Sequence, residues 1–443
     1  MDIKKISPFQ IGVFIACGIG ILFGVLIFSN KIKIGKSKTP VEIGGTVTMW
    51  GTLPFDAMQS VTEGVTQVYK NVRVNYTQKD PKTFQSDLTN ALASGKGPDI
   101  ITLTPDGVIQ NKDRILAIPF ASLSETTFRT TFTDQGSLFL TNEGAIAFPF
   151  IVDPLVMYYN RDMLTSSFTV DAPKTWDDII ALNKKITQKD DTGKLITQTV
   201  ALGTYTNITH AREMIQTFLF QAGNKIIVWN DTQKKYQSAF YESSNGESSA
   251  VNAFRSYTNF ANSLDTDRYS WNSELPNDKN QFIAGKLAIY FGFASEMQSL
   301  RNKNPNLNFA VTMMPQRANI QRKATYGAIT GIAVMKSSKN TSLAITVAQT
   351  MVGKDVLTNY IKEHPEVAPA RRDMLGTQND NALQTMIYNS AIISQSFLDP
   401  DASATSDFFK KFIGQINAGI VMPETVVTAG NSLMNSILEK IQK

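Results

Sequence analysis

The sequence predicts an α/β fold in which helices cover a parallel sheet, and three observations indicate it. The chain has 443 residues, which is too long for one small domain and suits two or three lobes. Hydrophobic residues make up 42% and charged residues 18% of it, so a packed core can form and extensive disorder is excluded. Strand-like and helix-like segments alternate over residues 46–103 in the order β-α-β-α-β, which is typical of a parallel sheet.

Each element of this unit has its own residue pattern. The strands are short apolar or alternating runs next to glycine, and the helices place apolar residues three and four positions apart. In chain order, the predicted elements are a strand over 46–50, a helix over 55–69, a strand over 72–76, a helix over 84–92 and a strand over 100–103. A polar linker at 36–41 precedes them, so we expect the folded body to begin near Gly44.

Further elements follow along the chain. Strand-like runs at 145–149 and 155–159 flank Asp153-Pro154. Thr175 can cap a helix, and Asp178, three residues later, can reach back to complete a capping box. The other predicted elements are strands over 287–291 and 329–335, a surface hairpin or loop over 231–250, and mostly helices in the C-terminal third.

The distribution of charge argues against a nucleic-acid partner. The formal net charge is +5, and residues 1–38 alone carry six lysines and one aspartate. The remaining body carries 37 basic and 37 acidic side chains and is therefore neutral overall. A basic face for nucleic acid is not expected.

The cysteine and histidine content excludes several kinds of site. Cys17 is the only cysteine, so the chain can form no internal disulfide. The two histidines, His210 and His364, lie in no metal-ligand spacing, and no G-x-S-x-G motif is present. Zinc sites and Cys/His nucleophilic pairs are therefore excluded. For the chain as a whole we expect no metal, no cofactor and no enzymatic activity.

The N-terminal segment is predicted to be a membrane anchor. Residues 9–28 are uncharged, and as a helix they would span roughly 30 Å, the thickness of a bilayer core. A cleaved signal peptide would need a shorter apolar region and a small-residue cleavage site. A lipoprotein signal is a further alternative, because Phe14-Ile15-Ala16-Cys17 loosely resembles a lipobox. Cys17 is otherwise a small apolar residue of the anchor helix.

Six segments of the body resemble motifs of one known family, in the family's order. They are 47–50, 93–100, 147–164, 173–178, 282–289 and 327–334. With these motifs the chain is similar, over about residues 44–440, to the extracellular solute-binding proteins of ABC transporters. It most resembles the carbohydrate-binding group that includes maltose-binding protein.

The resemblance implies a two-lobe, type II periplasmic-binding-protein-like fold with a hinge and a ligand cleft. The implied organisation is an anchor and linker at 1–38, lobe 1 at 44–152, lobe 2 at 153–308, a return to lobe 1 at 309–352, and mainly lobe 2 helices at 353–443. It also implies that the body lies on the extracytoplasmic side. The lysines after residue 28 would alone favour the opposite orientation, but large domains translocate largely regardless of charge.

A carbohydrate site needs carboxylates that accept hydrogen bonds from hydroxyls and aromatic rings that stack on C–H faces. The resemblance implies that Asp106 and Asp153 contact sugar. It also implies that Phe293 stands where the family carries a stacking tryptophan. The alternatives are structural, because Asp106 precedes Gly107 in a turn pattern and Asp153 precedes a proline.

Other aromatic residues are weaker candidates for the same site. Trp50 closes the first strand, where ligands of open α/β sheets bind, but it could also be a core residue. The remaining candidate ligand-binding residues are Tyr158, Trp271, Tyr326 and Phe408. Trp176 is expected to be structural, and the pattern around Trp229 assigns it no role.

The expected function is therefore a membrane-anchored receptor that captures a carbohydrate and delivers it to an ABC permease. Two other classes stay open. A glycan-acting enzyme would use Asp106 and Asp153 as its carboxylate pair. A surface adhesion or sensor protein would keep the fold and bind protein instead. A peptide, phosphate or metal ligand of the same fold is a further possibility, although the shortage of histidine disfavours zinc.

Overall fold

The computed structural model describes residues 43–240, 243–244, 247–318, 322–376 and 381–442. The predicted anchor at 9–28, with Cys17, lies outside this part of the chain. Within it, no helix is both long and apolar enough to cross a membrane.

The described chain alternates strands and helices along most of its length. The strands are β1 (Gly44–Gly51), β2 (Asn71–Gln78), β3 (Ile100–Leu103), β4 (Leu140–Thr141), β5 (Gly144–Ala145), β6 (Phe148–Asn160), β7 (Gln188–Lys189), β8 (Leu195–Val200), β9 (Ile227–Asn230), β10 (Lys235–Ser238), β11 (Ser243–Ser244), β12 (Glu247–Ser248), β13 (Leu287–Phe293), β14 (Phe309–Thr312), β15 (Thr325–Val334), β16 (Ala368–Pro369) and β17 (Ser394–Gln395). The helices are α1 (Phe55–Val68), α2 (Phe84–Ala93), α3 (Pro105–Asn111), α4 (Glu125–Thr131), α5 (Arg161–Ser166), α6 (Trp176–Ile186), α7 (Ala211–Gln221), α8 (Ser249–Thr258), α9 (Asp278–Ile283), α10 (Met297–Lys303), α11 (Thr341–Met351), α12 (Lys354–Glu363), α13 (Arg372–Leu375), α14 (Ala382–Ile392), α15 (Ala402–Asn417) and α16 (Pro423–Ile441).

The central sheet has the strand order β2-β1-β3-β15-β6-β13-β8-β7. β1 is parallel to both β2 and β3, as the β-α-β-α-β pattern predicts. β15 is antiparallel to β3 and to β6, so the sheet is mixed beyond its first three strands. The C-terminal part of the chain is mostly helical, as expected.

β6 runs through the junction between the two halves of the sheet. Its first part pairs with β15 as far as Pro154, and its second part pairs with β13 from Leu155. The sequence predicts two strand-like runs here, at 145–149 and 155–159, on either side of Asp153-Pro154. The structure forms one continuous strand instead, with the proline placed where the pairing partner changes.

We call the half with β1–β3 and α1–α3 lobe 1, and the half with β8, β13, α6–α9, α15 and α16 lobe 2. In lobe 1, α1 follows the amphipathic pattern that its spacing predicts, and Met58, Val61 and Val65 are fully buried on one face. Val47 and Met49 of β1 are also fully buried and belong to the same core. The residue limits predicted for the lobes stay a prediction.

The predicted capping box starts α6 and provides a test of local stability. The Thr175 hydroxyl accepts a hydrogen bond from the Asp178 N–H at 3.1 Å, and the Asp178 carboxylate accepts one from the Thr175 N–H at 2.9 Å. We expect Thr175→Ala to lower the free energy of unfolding by about 1 kcal/mol, because a helix N–H loses its acceptor. Urea denaturation measures this change. The control Thr175→Ser keeps the hydroxyl, and an equal loss in both variants would contradict the role of the cap.

Candidate functional site

The candidate site lies where the first turn of α7 in lobe 2 meets the first turn of α3 in lobe 1. The Arg212 guanidinium contacts both oxygens of Asp106, with Nη2–Oδ1 at 3.2 Å and Nη1–Oδ2 at 3.3 Å. It also binds Asp399 Oδ2 at 2.7 Å. Asp399 is fully buried, whereas the Asp106 side chain is 35% exposed. Arg212, Asp106 and Asp399 form what we call the Arg212 clamp.

Asp399 is firmly held on the lobe 2 side of the clamp. Its Oδ1 accepts hydrogen bonds from the Thr405 hydroxyl at 2.8 Å and from the Asp401 N–H at 3.0 Å. Burial raises the pKa of Asp399, while the charge of Arg212 opposes that rise. The cation therefore compensates a carboxylate that would otherwise be costly to bury.

Asp153 lies on β6, next to the residue at which the pairing partner changes. Its carboxylate accepts a hydrogen bond from the Ser295 N–H at 3.2 Å. Although the residue is partly exposed, burial of the carboxyl group raises its pKa to about 7, and the negative charges of Glu296 and Glu366 add to that rise. Asp153 is therefore poised between its neutral and ionised forms near neutral pH.

Two predicted aromatic residues lie beside these carboxylates. Phe293 ends β13 half-buried, with its ring 6.0 Å from that of Tyr326. Burial and the nearby charge of Asp106 raise the pKa of the Tyr326 phenol. Asp153 pairs with Ala328, which is two residues from Tyr326 on β15, so the two side chains share one face of the sheet. The structure therefore brings Asp106, Asp153, Phe293 and Tyr326 to one region.

A buried polar cluster fixes the wall behind Phe293. The Glu296 carboxylate binds His210 Nε2 at 2.5 Å, the Tyr290 hydroxyl at 2.9 Å, and the Lys279 ammonium. Burial would raise the pKa of Glu296, but the hydrogen bonds and charges of His210 and Lys279 outweigh it and lower the pKa to about 2. The His210 ring meets Phe293 edge-on at 4.9 Å, so the cluster positions the aromatic ring.

Trp50 is the second-last residue of β1 and is half-buried, close to the strand end as the sequence predicts. The Lys79 ammonium lies 3.9 Å from its ring centroid, so a cation covers one face of the indole. Only the opposite face can stack on a ligand in this arrangement.

Three other candidate residues are packed in the core. Tyr158 is fully buried, and its hydroxyl donates to the Phe293 carbonyl at 2.7 Å. Trp271 is fully buried, and within the described residues its indole N–H has no acceptor. Phe408 is 5% exposed and contacts Phe409. Their sequence neighbourhoods are polar or mixed, so the local pattern could not show that distant segments cover them.

The two other tryptophans occupy different surroundings. Trp176, expected to be structural, is buried and stacks on Phe218 with ring centroids 4.5 Å apart. Trp229 lies on the β9–β10 hairpin, 5.0 Å from the Tyr236 ring. Together with Leu138 and Leu140, it lines a groove of about 700 Å³.

Arg212 and Asp399 are the residues that sequence reasoning missed. They are 187 positions apart, and no local motif links them. The one available signal was a cation in the first turn of an apolar helix, where the helix dipole disfavours positive charge. Such a residue needs acidic neighbours from elsewhere in the fold. Within the described ranges, no group of three or more His, Cys, Asp and Glu side chains could hold a metal ion.

Comparisons with known proteins agree on the type of molecule. The sequence model of a family described as "Bacterial extracellular solute-binding protein" matches residues 63–416. Among solved structures, the chain is similar to the cyclic alpha-maltosyl-1,6-maltose binding protein from Arthrobacter globiformis. The TM-score is 0.72 at 16% identity, over 90% of this chain and 100% of that one.

Two further structures share the fold. A cyclo/maltodextrin-binding protein complexed with maltotetraose gives a TM-score of 0.70 at 15% identity, over 93% of this chain and 99% of that one. An ABC transporter solute-binding protein from Thermotoga lettingae bound with alpha-D-tagatose gives 0.65 at 19% identity, over 89% and 100%. These likenesses establish the two-lobe fold.

Proposed function

This chain belongs to the bacterial extracellular solute-binding proteins, and from that premise we propose that its solute is a carbohydrate. The family is one of binding proteins rather than enzymes. The receptor would take up its ligand between the lobes and deliver it to an ABC permease. Sugar-binding proteins among the structures that share its fold support this proposal.

The observation that carries the proposal is the pairing of two carboxylates with two aromatic rings in one region. Asp106 and Asp153 can accept hydrogen bonds from sugar hydroxyls, and Phe293 and Tyr326 can pack on C–H faces. Asp106 belongs to lobe 1, Phe293 ends a lobe 2 strand, and Asp153 lies where the halves of the sheet meet. A ligand touching all of them contacts both lobes, so it favours the closed arrangement.

The finer organisation is part of the proposal. Residues 9–28 would anchor the body to the membrane, because their uncharged length matches a bilayer and the family is extracellular. The body would then lie on the extracytoplasmic side, next to the permease. The change of partner along β6 supports a first crossing between the lobes near Asp153. The other predicted lobe limits are part of the proposal.

Thermal unfolding against a panel of sugars tests the proposal. We expect one class of mono- or oligosaccharide to stabilise the protein, by about 2.7 kcal/mol at 100 times its Kd, because the ligand binds only the folded state. Amino acids and peptides are the controls. A response to peptides alone would replace the carbohydrate with another solute. A flat response to the whole panel would favour a protein-binding surface role.

A further inference from the structure

We propose that Arg212 competes with the ligand for Asp106, so that the Arg212 clamp holds the cleft closed when it is empty. This inference rests on the proposed function, because it concerns the control of the same site. It starts from one observation. The carboxylate expected to receive sugar hydroxyls is already bound by a guanidinium from the other lobe.

The geometry shows how much of Asp106 is occupied. The guanidinium reaches Oδ1 through Nη2 at 3.2 Å, and it reaches Oδ2 through both Nη1 and Nη2 at 3.3 Å. A carboxylate has about four sites that accept hydrogen bonds, and a two-nitrogen contact uses those on one side. A sugar hydroxyl that approaches from this side must displace Arg212.

The clamp is asymmetric, which decides where Arg212 goes when the lobes separate. Its contact with Asp399 is shorter, at 2.7 Å, and Asp399 is fully buried and bonded to Thr405 of α15. Arg212 and α15 both belong to lobe 2. Opening therefore leaves the guanidinium on Asp399 and removes Asp106 with lobe 1. The contact between Arg212 and Asp106 breaks, while Arg212 keeps its ion pair with Asp399.

A second contact reinforces the clamp. The Gln110 amide, one turn after Asp106 on α3, donates to the Pro400 carbonyl at 3.0 Å. Pro400 directly follows Asp399 in the chain. α3 is thus bonded to lobe 2 at two points, through Asp106 to Arg212 and through Gln110 to Pro400.

The consequence is a reduced apparent affinity. If only a fraction of molecules has Asp106 free, the measured Kd is the intrinsic value divided by that fraction. A clamp closed in nine molecules of ten would weaken binding about tenfold. Arg212 is therefore an affinity-determining residue, although it is not itself the acceptor of the sugar hydroxyls.

The test measures the distance between the lobes without any ligand. Spin labels are placed on the full-length protein at the exposed positions Gln67 and Lys410, one on each lobe, with Cys17→Ser removing the native thiol. We expect a single short distance in the parent protein. Asp106→Asn and the double variant R212M/D399N should both shift the distribution to longer distances. Glu213→Gln, which removes a carboxylate beside Arg212, should leave it unchanged.

The outcomes separate this inference from the proposed function. An unchanged distance in both clamp variants would overturn the clamp, even if maltotetraose or tagatose stabilises the protein. Longer distances would support the clamp even if no sugar binds, and the carbohydrate proposal alone would then fail. Where one of these sugars binds, R212M/D399N should lower its Kd about tenfold. A higher Kd would mean that Arg212 contacts the ligand directly, and would overturn the competition.

Discussion

Replacing Arg212 with methionine is expected to lower the free energy of unfolding at neutral pH by about 3 kcal/mol. The substitution leaves the fully buried carboxylate of Asp399 without its cation, 2.7 Å from where the guanidinium stood. Removing one partner of a buried ion pair costs more than the pair contributes, because the remaining charge stays desolvated. Urea denaturation of both proteins measures the difference.

A matched exposed ion pair provides the control. The Arg255 guanidinium lies 2.8 Å from the Glu424 carboxylate, a distance similar to that between Arg212 and Asp399, but the Arg255 and Glu424 side chains are 48% and 58% exposed. Arg255→Met should cost less than about 1 kcal/mol, because solvent screens the pair. The loss in Arg212→Met should also shrink in acid, where Asp399 becomes protonated, and R212M/D399N should recover most of it. Equal losses at Arg212 and Arg255 would contradict the burial argument.

Replacing Asp153 with asparagine is expected to weaken carbohydrate binding roughly 10- to 100-fold above pH 7, since hydrogen bonds to a charged group contribute about 1.5–3 kcal/mol. The pKa of Asp153 is raised from 3.8 to about 7. The parent protein should therefore bind more tightly as the pH rises through 7 and the carboxylate ionises. Titration calorimetry with the sugar that stabilises the protein would follow this trend.

As the pH rises through 7, ionisation of Asp153 should lower the stability of the folded protein, although it raises the affinity for the ligand. A carboxyl group with a raised pKa in the folded state favours folding most below its unfolded pKa, and that contribution is lost as the pH rises through 7. Asp153→Asn should make both the ligand affinity and the free energy of unfolding less dependent on pH. The control is Asp162→Asn, which changes a carboxylate in the first turn of α5 that accepts a hydrogen bond from Asn308. A pH-dependent affinity that persists in Asp153→Asn would assign the titration to another group.

Local pattern was enough to predict most of the secondary structure. The first strand, the helix beginning at Phe55 and the capping box at Thr175 all depend on neighbours within a few residues. The continuity of β6 through Pro154 could not be predicted in this way. It depends on two partner strands that come from residues far along the chain.

The candidate site was predicted less completely because its contacts are long-range. Phe293 and Tyr326 lie beside the predicted carboxylates, whereas Trp271 is enclosed by segments that its polar neighbours do not reveal. The Arg212 clamp joins three distant parts of the chain. Its residues follow no spacing rule, so only the folded arrangement relates them. Whether the candidate residues bind a ligand remains a prediction.

The single strand β6 also gives the molecule a mechanical property. Its 13 residues would extend roughly 40 Å at about 3.3 Å per residue, with Asp153 near the middle. A change of direction at Asp153, a candidate ligand-binding residue, would therefore move both ends of the strand. A bend of about 10° there would displace each end by roughly 3–4 Å over an arm of about 20 Å. A bend caused by a bound solute would thus move the lobes attached to the two ends of β6 relative to each other, and a neighbouring protein can respond to that movement without any contact with the solute.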